Sequence, residues 1–219
     1  MPLTLYGHPF SSYTQKAIIA LYENGTPFEF RCISPDHPQH AAEWLQLWPL
    51  RKFPLLVDGG RDVVETSIII EHLQLAHPGP VRLVPADAMA ALEVRFMDRF
   101  FDLHVMLPVQ DAVAAAITGN AAWREDALAA TVEKLERAYD WLETRLAGKT
   151  WATGDDFTLA DCAAAPSLFY ADWVHRIGEH YPVLHAYRAR LLARPSFARA
   201  VDEARSYRHL FPLGAPDRD

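Results

Sequence analysis

The chain has 219 residues, half of them hydrophobic and 22% charged, with a formal net charge of −7. That length and apolar content suit one large or two small packed domains and exclude an intrinsically disordered chain. The acidic balance offers no footing for nucleic acid: the one concentration of arginines, Arg188 to Arg208, is interrupted by Asp202 and Glu203 and reads as a solvated helical face.

The start, Met1 to Leu5, has neither a basic region nor a long apolar one, so no secretory signal is read and a cytoplasmic location is expected. The longest weakly polar run, around Cys162 to Tyr170, falls far short of the roughly 20 residues of a membrane span, so no membrane role is expected. Leu3 and Leu5 alternate with polar neighbours as in a half-buried strand, and His8-Pro9-Phe10-Ser11-Ser12 breaks it with turn and cap residues. A helix carrying Ala17, Ile18, Ala20 and Leu21 follows and stops at Asn24-Gly25. Phe28, Phe30 and Cys32 alternate as a second strand, which makes a right-handed unit with parallel strands. A short helix from Ala41 to Leu47 precedes an antiparallel hairpin, Phe53 to Val57 and Asp62 to Val64 about an Asp58-Gly59-Gly60 turn. A helix from Thr66 to about Ala76 closes the unit.

His77-Pro78-Gly79-Pro80 is the strongest break in the sequence. It divides the chain into an α/β domain, residues 1–77, a linker, 78–88, and an all-helical domain, 89–219. Helices are predicted over Ala88–Ala116, Trp123–Leu146, Leu159–Ile177, Leu184–Leu192 and Ser196–Arg205. Within them, Thr158-Leu159-Ala160-Asp161 is a capping box with Asp in place of Glu, a folding device rather than a chemical one, and Pro166 predicts a kink.

Three places carry chemistry. Lys52-Phe53-Pro54 enters a buried strand through a proline best placed by a cis peptide bond, which leaves the Phe53 backbone free to pair with an extended ligand. Glu65-Thr66 sets a carboxylate and a hydroxyl at a helix start, where orphan amides attract an anion. Ser11 and Ser12 stand between the first strand and first helix, where a hydroxyl can hold a thiolate; either is equally suited to a plain N-cap. Cys32 and Cys162 are far apart with no Cys-x-x-Cys, and both read as buried, inert thiols. His175, His180 and His185 resemble a metal set, but a spacing of five puts neighbours on different helix faces, and no metal site is expected.

Taken in order, the Lys52-Phe53-Pro54 run, the Glu65-Thr66 pair and the Thr158–Asp161 box resemble the glutathione transferase family, over essentially the whole chain. The resemblance to cytosolic, serine-type members of theta- or zeta-like kind implies a thioredoxin-like domain with a four-stranded mixed sheet and a cis-proline, then an all-α domain. It implies glutathione as co-substrate, no metal, a small hydrophobic electrophile as second substrate, and a homodimer. By the same resemblance Ser11 stabilises the glutathione sulfur, with Ser12 and Tyr6 as competing donors, although the alternation of Tyr6 with Leu3 and Leu5 suits a packed strand-end residue better. Phe53 and Pro54 hold the cysteinyl part, Glu65 the amino group and Thr66 the carboxylate of the γ-glutamyl end. Lys52 meets the glycyl carboxylate, with Arg51 and His40 as lesser candidates. The chain departs from the family in reading Trp48-Pro49-Leu50-Arg51 before Lys52, where a small residue is common.

By the resemblance the electrophile is expected among Phe10, Phe96, Met97, Phe100, Phe101 and His104, a stripe that is more often core or dimer interface than a substrate pocket; the tail Tyr207 to Pro216 either folds over that cleft or is a packed or frayed end. Two other functions share these residues: a glutathione-dependent isomerase of the maleylacetoacetate type, whose Ser-Ser-Cys has Tyr13 in place of cysteine here, and a non-catalytic binding or assembly module of the same fold.

Overall fold

A computed structural model describes residues 3–118 and 121–219. Its first domain is a four-stranded mixed sheet in the order β2-β1-β3-β4. β1 (Leu3–Gly7) and β2 (Phe28–Cys32) pair in parallel from Leu3 opposite Phe28 to Gly7 opposite Cys32, joined by α1 (Ser12–Glu23). β3 (Leu55–Asp58) runs antiparallel to both β1 and β4 (Arg61–Val63). Phe53 lies just before β3, not in it, and the Phe53–Pro54 bond is cis. α2 (Pro38–Leu47) and α3 (Thr66–Ala76) complete the domain.

The second domain is helical, in agreement with the α/β-then-all-α expectation: α4 (Ala88–Phe100), α5 (Leu107–Thr118), α6 (Ala121–Arg145), α7 (Leu159–Val174), α8 (Pro182–Ala193) and α9 (Pro195–Ala204). α2, α8 and α9 start two or three residues, or one, before the predicted positions because each takes a proline into its first turn, where the missing N–H costs nothing. The single helix expected over Ala88–Ala116 is interrupted by a π-helical stretch, Phe101–Met106. The run Ala88–Thr118 also has the length and apolarity of a membrane span, a match absent from the sequence reading; half of its most apolar window is buried inside the protein, as in a core helix.

Why the domains hold together follows from α1. Nine of its residues, from Ser12 to Leu21, are buried on every side, because α1 packs between the sheet layer with α3 and the helices α7 and α9. One continuous apolar core therefore runs from Leu5 and Ile19 to Leu135, Leu168 and Tyr187. A smaller cluster, Tyr6, Trp44 and Leu55, lies under α2. Glu23 fastens α1 to the start of α9 through a two-pronged pair with Arg194 at 2.7 and 2.6 Å. The segment between α3 and α4 is pinned in turn: Gln74 exchanges two hydrogen bonds with the backbone of Val84, and Asn24 Oδ1 accepts from Val81 N–H at 2.8 Å.

The capping box at Thr158 and Asp161 is present, and Asp161 does more than the pattern asks. Its carboxylate accepts from Thr158 N–H at 2.8 Å, the Thr158 hydroxyl at 3.1 Å, Ala152 N–H at 2.8 Å and the Tyr187 hydroxyl at 2.6 Å. The helix start is thereby tied to the preceding loop and to α8. Cys162 is buried as expected, but Cys32 is only half-buried, since β2 is an edge strand. Burial raises both thiols above their ordinary range, so neither is poised as a nucleophile.

Candidate functional site

The end of β1, the loop to α1 and the start of α3 meet at the seam between the domains. Gly7 is needed there: a Cβ on it would lie 2.6 Å from Thr14 Cγ2, so only glycine lets α1 approach the strand this closely. The chain then turns through Pro9 and Phe10, and Ser11 caps α1 by accepting from Thr14 N–H at 3.3 Å. The cap reading of Ser11 is thus realised, yet it uses only a lone pair. The hydroxyl proton remains available to a second partner, since Ser is both donor and acceptor.

Two cavities adjoin this loop. The smaller, about 320 Å³, is bounded by Lys52, Phe53, Pro54, Glu65 and Thr66, together with Arg99 and Asp102 from the helical domain. The larger, about 510 Å³, has Phe10, Ser11 and Ser12 on one side, Val109 and Val113 of α5 on another, and Leu210 and Phe211 of the tail across it. Tyr13, Lys52 and Phe53 line both, so a molecule in one faces a molecule in the other.

The residues expected to bind an acidic peptide are brought together in the smaller cavity, and Ser11 stands in the larger one beside it. Glu65 sits exposed at the start of α3 with φ +67, a positive value that costs a non-glycine residue about 1 kcal/mol or more. Thr66 is buried at the first helical position, beside the orphan amides of that end. Trp44 Nε1–H donates to the Lys52 carbonyl at 3.0 Å and so fixes the loop entering Pro54.

At three places the structure favours the plainer of two readings. Tyr6 borders neither cavity: its hydroxyl donates to Glu43 at 3.0 Å and accepts from Arg31 at 2.8 Å, and burial together with Glu43 keeps the phenol protonated. His40 is likewise elsewhere, with Nδ1 3.0 Å from the Cys32 carbonyl. Of the aromatic stripe expected around the electrophile, only Phe10 lines the larger cavity. Met97 and Phe101 are core, while Phe100 and His104 border a separate hollow of about 400 Å³ with Leu103 and Leu107. Phe96, Met97 and Phe100 lie before the π stretch, whereas the wall is built at its end and beyond it, by Met106, Val109 and Val113. The tail reaches the cavity as expected.

Sequence reasoning also missed residues. Behind the smaller cavity Lys16, 1% exposed, pairs with Asp98 at 2.6 Å and Asp102 at 2.8 Å and donates to Ser67 Oγ at 3.0 Å. Arg99 joins the same two carboxylates and donates to Ser67 at 2.8 Å. One lysine in the apolar run of α1 and two aspartates four apart in an apolar helix were the available signal, though nothing in the sequence says that they meet. Burial pushes the Asp102 carboxyl upward, against Lys16 and Arg99. Tyr13, previously noted only as a departure, lines both cavities; burial and then Asp102 push its phenol up to about 12, so it stands as an O–H donor at neutral pH. Ser12 Oγ is buried with no hydrogen-bond partner among the described residues. His8 accepts from Phe10 N–H through Nδ1 at 3.2 Å, and burial lowers its pKa, so its imidazole is neutral. Asp58, His72 and His77 form a further cluster with metal-ligating groups, which sequence spacing did not bring out: Asp58 Oδ2 lies 2.8 and 2.7 Å from the two Nε2 atoms. None of the three borders either cavity.

Comparison with known proteins agrees with this geometry. The pattern described as "Glutathione S-transferase, N-terminal domain" matches residues 5–81, and that described as "Glutathione S-transferase, C-terminal domain" matches residues 125–190. Both halves of the chain thus have the glutathione transferase superfamily fold. A delta-class glutathione transferase of Nilaparvata lugens superposes with a TM-score of 0.83 at 24% identity, over 96% of this chain and 98% of that one. In sequence the chain is similar to a stringent starvation protein A homolog of Coxiella burnetii, 27% identical over 93% of each protein. It is also similar to a probable maleylacetoacetate isomerase of Vibrio cholerae, 28% identical over 93% of this chain and 97% of that protein.

Proposed function

We propose that the protein is a cytoplasmic, homodimeric glutathione transferase of the serine type. Glutathione occupies the smaller cavity and a small hydrophobic electrophile the larger. In this reading residues 1–77 bind the tripeptide, 78–88 link the domains, and 89–219 supply most of the electrophile's walls. The observation that carries it is the junction: a cavity with charged side chains, a backbone edge and a helix start in its wall opens onto a more apolar cavity across a hydroxyl-bearing loop.

The chemistry needs a thiolate. A free thiol has a pKa of about 8.5, and lowering it by about two units requires roughly 2.7 kcal/mol of preferential stabilisation. Ser11, its lone pair taken by Thr14 N–H, donates its proton to the sulfur, while the N-terminal amides of α1 favour the negative charge. Glu65 takes the γ-glutamyl amino group and Thr66 with the start of α3 its carboxylate; the Phe53 backbone pairs with the cysteinyl unit and Lys52 meets the glycyl carboxylate. The thiolate then attacks the electrophilic carbon, a carbon–sulfur bond forms, and the electron pair leaves with the displaced group or, in an addition, is taken up as a proton arrives.

The test is ultraviolet titration of bound glutathione in the parent and in Ser11→Ala. A depressed thiol pKa that rises toward the free value in the variant supports the assignment. A depressed pKa that does not move transfers the role to Ser12 or Tyr13. Binding without any shift favours the non-catalytic module. A second enzymatic reading, isomerisation through a transient glutathione adduct, is supported by the Ser11-Ser12 pair and by the isomerase relative. Release of glutathione unchanged after turnover separates it from conjugation.

A further inference from the structure

The larger cavity carries an electrical asymmetry that an ordinary apolar pocket lacks. Among the described residues no carboxylate lines it, whereas Arg51 and Lys52 both do. His8, the third basic side chain there, is neutral. Lys52 also borders the smaller cavity, where the glycyl carboxylate engages it, which leaves Arg51 as the cation belonging to the larger cavity alone. Among the described residues, its guanidinium takes part in none of the ion pairs or side-chain hydrogen bonds, although most arginines of this chain are so engaged.

Arg51 is also held where an ordinary side chain is disfavoured. Its φ is +57, and among the described non-glycine residues only Glu65 shares a positive value. Glycine would take this conformation without cost, whereas arginine is strained there. A strained residue whose charged side chain borders a cavity is the pattern of a functional position, not a packing one. The rest of the wall, from Phe10, Val109, Val113 and Phe211, is apolar.

We infer that Arg51 makes the larger cavity selective for electrophiles that carry a carboxylate on an apolar or aromatic body, the body lying on the α5 and tail wall and the carboxylate at the exposed rim. This rests on the proposed two-substrate reading of the site. An exposed cation paired with a carboxylate is worth on the order of 1 kcal/mol, so the preference is about fivefold to tenfold and weakens with salt.

The probe is 4-phenylbutyrate against its neutral amide, bound by calorimetry to the full chain without glutathione, in the parent, Arg51→Met and Arg51→Gly. The acid is expected to bind about fivefold or more tighter than the amide in the parent, with the gap closing at 0.5 M salt and narrowing severalfold in both variants, where Lys52 is the cation left in the cavity, while the amide's affinity is unchanged. Arg51→Gly suits the left-handed backbone and guards against a fold defect in the methionine variant. Equal binding of acid and amide by the parent, or a preference that survives both substitutions undiminished, overturns the proposal. So does a variant that loses glutathione affinity while keeping the acid preference, because Arg51 would then serve the tripeptide. Since the preference is read without glutathione, failure of thiol activation would overturn the transferase reading and leave this result standing.

Discussion

The two cavities meet at Tyr13, Lys52 and Phe53 but are held open by different physics. The smaller is backed by a few fixed charges, Lys16 from α1 with Asp98 and Asp102 from the helix of the other domain, joined by the hydroxyl of Ser67 one residue past Thr66. The larger is backed by aromatic packing, in which Phe211 of the tail lies edge-on to Phe10 and Trp173 and stacks on Tyr170. A charge network is all or nothing, because removing one member strands the others away from water. A packed wall loses its strength in instalments. The position of an α3 start that must meet a charged ligand is therefore entrusted to ions, and the shape of a pocket for an apolar body to side-chain volume.

Lys16→Met puts the greatest strain on that contrast. It leaves the buried Asp98 and Asp102 with Arg99 as their remaining cation, so a stability loss of about 3 kcal/mol is expected in urea denaturation followed by tryptophan fluorescence. A loss under 1 kcal/mol would show that the network is not what holds the seam. Phe211→Ala comes next at about 3 kcal/mol, as for an aromatic side chain removed from a largely buried site. Its particular signature is a raised KM for the electrophile with an unchanged Kd for glutathione; equal changes in both would mean that the two cavities are not independent.

Ser11→Ala sharpens the comparison at the boundary. Loss of the cap costs about 1 kcal/mol, and the bound thiol is expected to titrate closer to the free value of about 8.5. The smallest effect belongs to Asp58, whose hydrogen bonds from His77 and then His72 hold its carboxyl below the usual range. A depressed carboxylate adds stability above its unfolded pKa, near 4, and that contribution drains away as pH falls through the lower folded value. Asp58→Asn should cost about 1 kcal/mol or less at pH 7 and flatten the acid side of the stability curve below pH 4. An unchanged acid limb would place the acid sensitivity elsewhere.

The local order of this protein was written in its sequence. Alternation at Leu3 and Leu5, the Asn24-Gly25 stop, the Gly59-Gly60 turn and the prolines around residue 78 mark strands, helix ends and breaks because each acts through its own backbone and nearest neighbours. The same holds for cis-Pro54, for Thr66 at its helix start and for the Thr158–Asp161 box, whose partners lie within three residues. Tertiary structure decided what depends on distant segments meeting. Lys16 and Asp102 are 86 positions apart, so neither carried a sign that it had an ionic partner. The wall of the larger cavity is built at the end of the π turn Phe101–Met106 and beyond it, not by the stripe before it, because the packing of the first loop and the tail decides which stretch of that helix they meet. Tyr6, an apparent donor by position, was claimed by Glu43 and Arg31 across the sheet. Short-range signals fix torsions and hydrogen bonds within a turn or two; charge pairing and cavity shape arise only once α1, the π turn and the tail have been packed against one another.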